Sequence, residues 1–295
     1  PGDIIDAMQA MLAEAEIDRD ALEKELGLDA PLVIQYGRWM GFLPGSDGNF
    51  DGILQGNLGE SWSQRSSVTQ LVALKWPVTL QLGLMGLIIA QLLALPIGIV
   101  SAIRQDTAPD YIGRSLGILL IAVPTFWIGT LVIVYPSIWW GYMPPITRVR
   151  FFEDPLNNLR VYIVPAVVLG MNLAGVTIRM TRTMMLEVLR QDYVRTAWSK
   201  GLKERVIIVR HALKNALIPV VSTVVLQVPI VIGGTVIVEQ IFSLPGMGRL
   251  LVNATIGRDQ PLVAGVTFLF AVALLMINLF VDLSYGFLNP KIHYR

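Results

Sequence analysis

Long apolar runs without a single charge alternate with short charged segments along the chain. A helix that crosses a bilayer needs about 20 mostly apolar residues. Five charge-free runs approach or exceed this length, and they cover residues 76–103, 115–147, 161–178, 215–238 and 260–281. Core helices of a soluble protein can also be this apolar, but five such runs in one chain favour the membrane. The pattern therefore predicts an all-α polytopic membrane protein.

Helix boundaries follow from the flanking charges and polar segments. We expect spans at about 76–103, 115–138, 161–185, 215–238 and 260–284, inside a transmembrane domain of residues 76–288. The second span excludes a polar-aromatic tail, and the third continues past Arg179 towards the membrane surface. Because the chain begins with Pro1 rather than Met, we expect that an N-terminal membrane helix is missing, in addition to the five visible ones.

Composition agrees with a membrane protein. Hydrophobic residues make up 54% of the chain and charged residues only 15%, whereas soluble domains carry about 25% charged residues. The net charge of +1 argues against nucleic-acid binding through an overall positive field. The sequence contains no Cys, which excludes disulfides, Cys-based metal sites and thiol nucleophiles.

Basic residues concentrate between the third and fourth runs. This loop holds nine of the 23 Lys and Arg residues and only three acidic residues. Cytoplasmic loops carry an excess of Lys and Arg, so we place this loop, residues 179–214, in the cytoplasm. Its residues 186–214 are predicted to form a hairpin. By alternation, residues 1–75 and the loops near 139–160 and 240–260 lie outside, and the tail 289–295 lies inside.

The segment before the first visible span is more polar. The stretch IDRDALEKELGLDAP predicts a short helix capped by Asp18 and Gly27, and PLVIQYGRWMGFL predicts a second helix that begins at Pro31. DGNFDG at 47–52 matches the opening half of an EF-hand loop, but Leu58 stands where the bidentate Glu belongs. We therefore predict a small extracytoplasmic helical subdomain with an ordinary turn and no metal site.

Catalytic motifs are absent from the sequence. It contains no G-x-S-x-G, no H-E-x-x-H and no G-x-x-x-x-G-K-[ST] phosphate loop. The two histidines, His211 and His293, have no evident nucleophile partner. We predict no catalytic residue and no nucleotide site, so the chain is not expected to be an enzyme.

Several polar side chains lie inside the predicted spans. Polar groups at membrane depth hydrogen-bond between helices or face a water-filled path. The sequence does not distinguish these two roles. The candidates for a translocation path are Gln81, Gln91, Asn172, Thr177, Ser222, Thr223 and Gln227. Thr79, Asn278 and Asp282 are further polar residues of the spans, and among all of those singled out Asp282 alone is ionisable. Such sparse buried charge argues against coupling to an ion gradient.

One face of the first visible span carries small residues. Ala90, Ala94, Gly98 and Ala102 recur at four-residue spacing and would let another helix approach closely. Prolines in the spans remove backbone donors, so we expect kinked helices that pack against neighbours. These prolines are Pro96, Pro124, Pro165, Pro219 and Pro229.

The basic loop contains the stretch RTAWSKGLKERVIIVRHALKN at residues 195–215. One helix is predicted to end at Gly201 in the left-handed conformation, and KERVIIVRHALKN predicts a second helix. An apolar centre with a charged rim is typical of a docking surface, and a basic loop bound to anionic lipid is the alternative. The centre comprises Tyr193, Thr196, Ala197 and Trp198, and the rim comprises Arg195, Lys200 and Lys203.

At these residues the chain resembles ABC importer permeases. DYVRTAWSKGLKERVIIVRHALKNALIPV is similar to the EAA-type loop of the dipeptide/oligopeptide/nickel permease family. ELGLDAPLVIQYGRWM, GNLGESW, PVTLQLG and PTFWIGTLVI resemble segments before and within its second and third helices. VEQIFSLPGMGRLL resembles the outer segment after its fifth helix, and PGD and NPKIHYR resemble the two ends. PGSDGNFDGIL, around residues 44–54, looks like an insertion, and Thr196 replaces the Glu of the general loop pattern.

The resemblance implies a type I ABC importer permease fold in a prokaryotic plasma (inner) membrane. The hairpin would be a coupling helix on one of two ATP-binding subunits, which bind ATP and Mg, so this chain would hold no cofactor. A homologous permease (forming a heterodimer), an extracytoplasmic solute-binding protein and membrane lipid would be the other partners. The ATPase-docking residues would be Asp192, Tyr193, Arg195, Thr196, Ala197, Lys200, Gly201, Leu202 and Lys203. The binding-protein contact would include Glu239, Phe242, Pro245 and Gly246.

Two other functions stay open from the residues themselves. An ion-coupled secondary transporter would move its solute without an ATPase, and a lipid-binding scaffold would show no link to ATP hydrolysis. The resemblance favours an ATP-driven importer of di- or oligopeptides or a similar solute. It does not choose among dipeptides, longer peptides, nickel complexes and oligosaccharides. It also implies that the small-residue face of the first visible span serves the packing of the two permeases.

Overall fold

The computed structural model describes residues 29–45, 48–142, 145 and 151–288. The predicted helix that begins near Asp18 and the tail 289–295 lie outside the described residues. The helices are α1 (Leu32–Met40), α2 (Val68–Ile103), α3 (Ala108–Ala122), α4 (Thr125–Trp140), α5 (Pro155–Leu189), α6 (Asp192–Ser199), α7 (Glu204–Val206), α8 (Lys214–Ile241), α9 (Met247–Ile256) and α10 (Gln260–Leu288). A 3₁₀ turn (Ile53–Gln55) and a short antiparallel ribbon of β1 (Glu60–Ser61) and β2 (Ser66–Ser67) precede α2.

Four helical segments of the described chain are long and apolar enough to cross a membrane. They are α2, α5, the continuous segment Glu204–Ile241 and α10. A fifth span is formed if α3 and α4 are counted together, although these two helices meet at 94°. The predicted all-α polytopic fold is confirmed.

The second predicted span, 115–138, is not one helix. It is broken at Val123 and Pro124, between α3 and α4. Val123 is extended, with ψ 125°, because proline pushes the preceding residue out of the α region. The other four prolines of the spans lie inside continuous helices.

Helix α5 is the most buried of the four long segments. In its most apolar window 61% of the residues are buried, against 33% or less in the other three long segments. Its start is fixed locally, because the Asp154 carboxylate accepts a hydrogen bond from the Asn157 N–H and Pro155 occupies the first helical position. The most buried of the long helices therefore leads directly into the basic loop.

Two compact units can be described separately. The first contains the described parts of Pro1–Pro77 and Arg249–Ala273, and the second those of Val78–Gly248 and Leu274–Arg295. In the first unit, Trp39 of α1 packs edge-on against Phe268 of α10, with 5.9 Å between ring centroids. The second unit contains α3 to α8 and most of α2.

The small-residue face of α2 packs against α5. A Cβ atom on Gly98 would lie 2.7 Å from the Thr181 Cβ atom, and one on Gly170 would lie 2.6 Å from the Gly86 carbonyl oxygen. The predicted close helix approach is confirmed. The expectation that this face packs against a second permease is wrong, because α5 of the same chain covers it.

Candidate functional site

The basic loop folds into a hairpin of residues 190–214, which we call the hairpin. Its first helix, α6, ends at Gly201, where φ is +73°. The Gly201 N–H donates to the Trp198 carbonyl at 2.9 Å, and the Leu202 N–H donates to the Ala197 carbonyl at 3.4 Å. These two bonds define a Schellman C-cap, which needs a left-handed residue at this position. The predicted conformation of Gly201 is confirmed.

A small apolar core supports the hairpin. Val194, Ala197 and Ile207 are 0%, 6% and 0% exposed, and Val188 and Leu189 at the end of α5 pack against them. The structure thereby corrects one predicted docking residue. Ala197 belongs to the inner support of the hairpin and not to its exposed face, because it lies one turn after Val194 on the inward side of α6.

The exposed face of the hairpin combines apolar and cationic side chains. Tyr193, Trp198 and Leu202 are 43%, 48% and 39% exposed. The remaining predicted docking residues are also exposed, namely Asp192, Arg195, Thr196, Lys200, Gly201 and Lys203. The hairpin carries seven Lys and Arg residues against two acidic residues, so this face is strongly positive.

Tyr193 connects the two arms of the hairpin. Its hydroxyl donates to the His211 carbonyl at 3.3 Å and accepts from Asn215 Nδ2 at 2.8 Å. His211 lies in a π-helical segment, Ile207–Leu213, that leads into α8. Such wide turns occur frequently at functional sites, and the sequence pattern did not predict this one.

An ion pair that the sequence did not predict lies beneath the hairpin. Arg182 Nε and Nη2 donate to the two carboxylate oxygens of Asp110 at 2.7 and 2.8 Å. Ser101 Oγ and the Asp106 N–H donate to the same carboxylate at 2.6 and 3.0 Å. Asp110 is completely buried. One signal was available in the sequence, because an Arg inside an apolar helix calls for a partner, although Arg182 also fits the basic loop that follows.

Three of the predicted path residues meet in the middle of the second unit. Gln227 Nε2 donates to Thr177 Oγ1 at 3.1 Å, and Gln91 Nε2 donates to Gln227 Oε1 at 3.4 Å. Thr177 and Gln227 are 0% and 3% exposed. These contacts join α2, α5 and α8, so hydrogen bonding between helices explains Thr177 and Gln227. Neither side chain faces an open path within this chain.

The other predicted path residues do not come together in one site. Gln81 pairs with the side chain of Asn158, and Asn172 Nδ2 donates at 3.4 Å to a carbonyl near the end of α3. The Ser222 and Thr223 hydroxyls donate to carbonyls one turn back in α8, at 3.2 and 3.0 Å. Gln81, Asn172, Ser222 and Thr223 are all half-buried.

The predicted binding-protein contact is only partly accessible. Glu239 is 0% exposed, and its carboxylate accepts a 2.6 Å hydrogen bond from Thr79 Oγ1. Gly246 is also buried, and a Cβ atom there would collide with the Glu239 carboxylate. The structure therefore corrects Glu239 and Gly246, which shape the turn after α8. Phe242 and Pro245 are half-buried.

A third buried carboxylate, Asp259, fastens the loop segment of the first unit. It is 1% exposed and accepts from the hydroxyls of Ser61 and Ser63 at 2.6 and 2.7 Å and from the Ser63 N–H at 3.0 Å. Burial acts to raise the pKa of Asp259, but these hydrogen bonds and one from the Leu262 N–H lower it overall. The sequence did not reveal this contact, because about 200 residues separate the partners.

The EF-hand-like stretch is described only in part. Asp47 lies outside the described residues, and the Asp51 carboxylate accepts a 2.8 Å hydrogen bond from Asn57 Nδ2. Within the described ranges, no group of three or more His, Asp or Glu side chains is arranged to hold a metal ion. The expectation that this chain binds no metal stays a prediction.

Comparisons with known proteins agree on one kind of molecule. A family model described as "Binding-protein-dependent transport system inner membrane component" matches residues 94–294. A Brucella suis biovar 1 protein, whose name assigns it to a peptide transport system as a permease, is 38% identical and covers 93% of this chain and 84% of its own length. The dipeptide transport system permease protein DppB of Escherichia coli K12 is 34% identical, and the match covers 100% of this chain and 91% of DppB. A solved inward-facing structure of the MetNI methionine ABC transporter has a TM-score of 0.60 at 15% identity over 75% of this chain and 97% of that chain, which shows the fold alone.

Proposed function

This chain belongs to the family of binding-protein-dependent transport system inner membrane components, and on that premise we propose that it forms, with a second permease, the path of a di- or oligopeptide importer whose ATPase docks on the hairpin. It is a permease subunit of an ABC importer and a multi-pass membrane protein. Peptides are supported as the substrate class by the names of the similar proteins.

One observation carries the docking proposal, namely the exposed face around Gly201. Trp198 and Leu202 are 48% and 39% exposed on a tightly capped turn, with Lys200 and Lys203 beside them. Exposed aromatic and aliphatic anchors with a charged rim favour a protein partner with an apolar cleft. The excess of basic residues favours an acidic border on that cleft.

Internal contacts hold the hairpin together, so that it can move as one body when the ATPase moves. Its core of Val194, Ala197 and Ile207 is buried, and Tyr193 hydrogen-bonds to the second arm. Its first arm follows α5 after a two-residue turn, and its second arm continues into α8. A movement of the hairpin is therefore expected to move α5 and α8 together.

The basic excess supports a cytoplasmic position for the hairpin. On this orientation the ATPase subunits lie beneath the membrane and hold ATP and Mg, and this chain binds no cofactor. The opposite end of the bundle faces the solute-binding protein, with Phe242 and Pro245 as the contact residues that stay half-buried. The translocation path is assigned to the half-buried polar residues of the second unit, namely Gln81, Asn172, Ser222 and Thr223.

A quantitative pull-down tests the docking proposal. The chain is co-expressed with the second permease and ATPases encoded beside it, purified in mild detergent, and the bound ATPase is measured. Trp198→Ala and Leu202→Ala should each reduce ATPase binding about tenfold or more, as for a central anchor of an interface. Trp140→Ala is the matched control, because Trp140 is 74% exposed on α4 and not in the hairpin.

The alternatives predict different outcomes. If the hairpin binds lipid and not an ATPase, wild type captures no ATPase, whereas hairpin variants lose binding to vesicles of anionic phospholipid. If the chain is an ion-coupled transporter, the purified chain alone moves solute when a proton or sodium gradient is applied. Either result would contradict the importer proposal.

A further inference from the structure

We infer that the Asp110–Arg182 ion pair is a positioning contact that makes α3 follow the hairpin. This inference rests on the proposed function, because it assumes that the hairpin moves with an ATPase. The four hydrogen bonds on the Asp110 carboxylate come from Ser101, Asp106 and both donor groups of Arg182. They join the end of α2, the start of α3 and the last quarter of α5.

Helices α3 and α5 run antiparallel and contact each other at three successive positions. A Cβ atom on Gly175 would lie 2.8 Å from the Gly117 carbonyl oxygen, so the two helices touch backbone to backbone there. Asp110 and Arg182 each lie seven residues from these glycines, about 10 Å along each helix. At the other end, Asn172 Nδ2 donates to a carbonyl of the last turn of α3 at 3.4 Å. Helix α3 is thus held to α5 along its whole length.

The ion pair lies close to the base of the hairpin. Arg182 lies seven residues before the last residue of α5, about 10 Å along the helix axis. Arg190 Nη2, at the start of the hairpin, donates to Gln105 Oε1 at 3.5 Å. The start of α3 is therefore joined to α5 at Asp110, and the loop before it is joined to the hairpin at Gln105.

The far end of α3 is the bend at Val123 and Pro124, beyond which α4 departs at 94°. If α5 moves and α3 moves with it, this bend moves too. Helix α4 packs against α8 as well as α5, and a Cβ on Gly129 would lie 3.4 Å from Ile241 at the end of α8. The first half of the broken span is therefore held by α5, and its second half lies beside both α5 and the end of α8.

This ion pair fixes the relative orientation of α3 and α5 and contributes little to the stability of the fold. A buried ion pair seldom stabilises a fold more than apolar residues of the same volume. A guanidinium bound to a carboxylate through two donors fixes the relative orientation of both groups, which a lysine ammonium does not. The pair therefore serves to keep α3 and α5 in register while the hairpin moves.

The test uses the complete complex of both permeases, ATPases and binding protein in liposomes, and it measures solute imported per ATP hydrolysed. Arg182→Lys and the double variant Asp110→Asn/Arg182→Gln should retain ATPase binding and binding-protein-stimulated hydrolysis. Both should lower the import per ATP about fivefold or more. A factor of about five is the lower end of the range that coupling between two sites typically produces. Arg179→Gln, an exposed Arg one turn earlier in α5, should match wild type.

The outcomes separate this inference from the proposed function. If wild type itself binds no ATPase, the proposed function fails. If wild type imports normally and both variants keep its import per ATP, the positioning role of the ion pair is wrong. If both variants lose hydrolysis and thermal stability in parallel with import, the pair has a structural role only, and the inference is equally overturned.

Discussion

The carboxylate of Glu239 fills the space that a side chain at position 246 would need. Glu239 is fully buried, and Thr79 Oγ1 donates to it at 2.6 Å. The same Thr79 oxygen accepts from the Met247 N–H at 2.8 Å, so the turn after α8 closes around one carboxylate. The family resemblance assigned Glu239 and Gly246 to a binding-protein contact. In the structure these two residues pack against each other inside the turn.

Gly246→Ala should destabilise the chain. The new methyl group would collide with the Glu239 carboxylate, and overpacking of this kind costs about 1–3 kcal/mol. Gly233→Ala is the control, because it lies in α8 and a Cβ there meets no atom within 4 Å. Thermal unfolding in detergent should show a lower Tm for the first variant and not for the second; equal Tm values would contradict the packing described for Glu239.

Gly201→Val should uncouple ATP hydrolysis from transport while leaving the membrane helices folded. Gly201 has φ +73° with open space around it, so the defect is conformational, and a residue with a side chain costs about 1–2 kcal/mol in this conformation. Gly201→Asn should couple nearly as well as wild type, because Asn tolerates left-handed geometry. The measurement is solute imported per ATP hydrolysed by the complex in liposomes, and equal ratios for the Val and Asn variants would contradict the capping role.

Ala197→Arg and Thr196→Arg should weaken ATPase binding for different reasons. Ala197 is 6% exposed in the hairpin core, so a charge there should unfold the hairpin, as faster hydrogen exchange over α6 would show. Thr196 is exposed on the docking face, so its variant should keep native exchange and weaken ATPase binding directly at the interface. Native exchange in Ala197→Arg would contradict the inward orientation of this side chain.

Asp259→Asn should reveal a pH-dependent contribution to stability. The folded-state pKa of Asp259 lies below its ordinary value, so its carboxylate stabilises the fold above the unfolded-state pKa of about 3.9. This contribution is lost as the pH falls through the lower folded-state pKa. Because hydrogen bonds to charged groups contribute about 1.5–3 kcal/mol, the variant should melt well below wild type at pH 7.

The two melting temperatures should converge as the medium is acidified below about pH 4. Ser63→Ala is a useful companion variant, because it removes one hydroxyl donor and keeps the carboxylate. It should show a smaller loss at pH 7 with the same direction of convergence. A Tm difference between Asp259→Asn and wild type that is constant from pH 7 to pH 3 would contradict the buried-carboxylate account.

Local chemistry was readable from the sequence where neighbouring residues determine the structure. The charge-free runs identified the spans, and the Gly201 turn follows from a glycine placed after a helix and before a basic stretch. The break at Pro124 was only partly predictable. Prolines at 96, 165, 219 and 229 lie inside continuous helices, since packing against neighbours decides whether a proline kinks or ends a helix.

Long-range pairing was not readable from one sequence. Arg182 and Asp110 lie 72 residues apart, and Glu239 meets Thr79 across 160 residues. The residues around each of these side chains contain no pattern from which its distant partner could be predicted. The same limit explains why Thr177 and Gln227 were open to two interpretations until the structure brought them together at 3.1 Å.

The most direct test of the central claim is site-specific crosslinking between the hairpin and the ATPase. The chain contains no cysteine, so Lys200→Cys and Phe152→Cys each introduce a single thiol in this chain. Phe152 is 95% exposed and precedes the opposite end of α5, about 50 Å from the hairpin for a helix of this length. The purified complex is treated with a short thiol-to-amine crosslinker. We predict an ATPase adduct from residue 200 and none from residue 152; an intact complex with no adduct at 200, or equal adducts at both sites, would contradict docking through the hairpin.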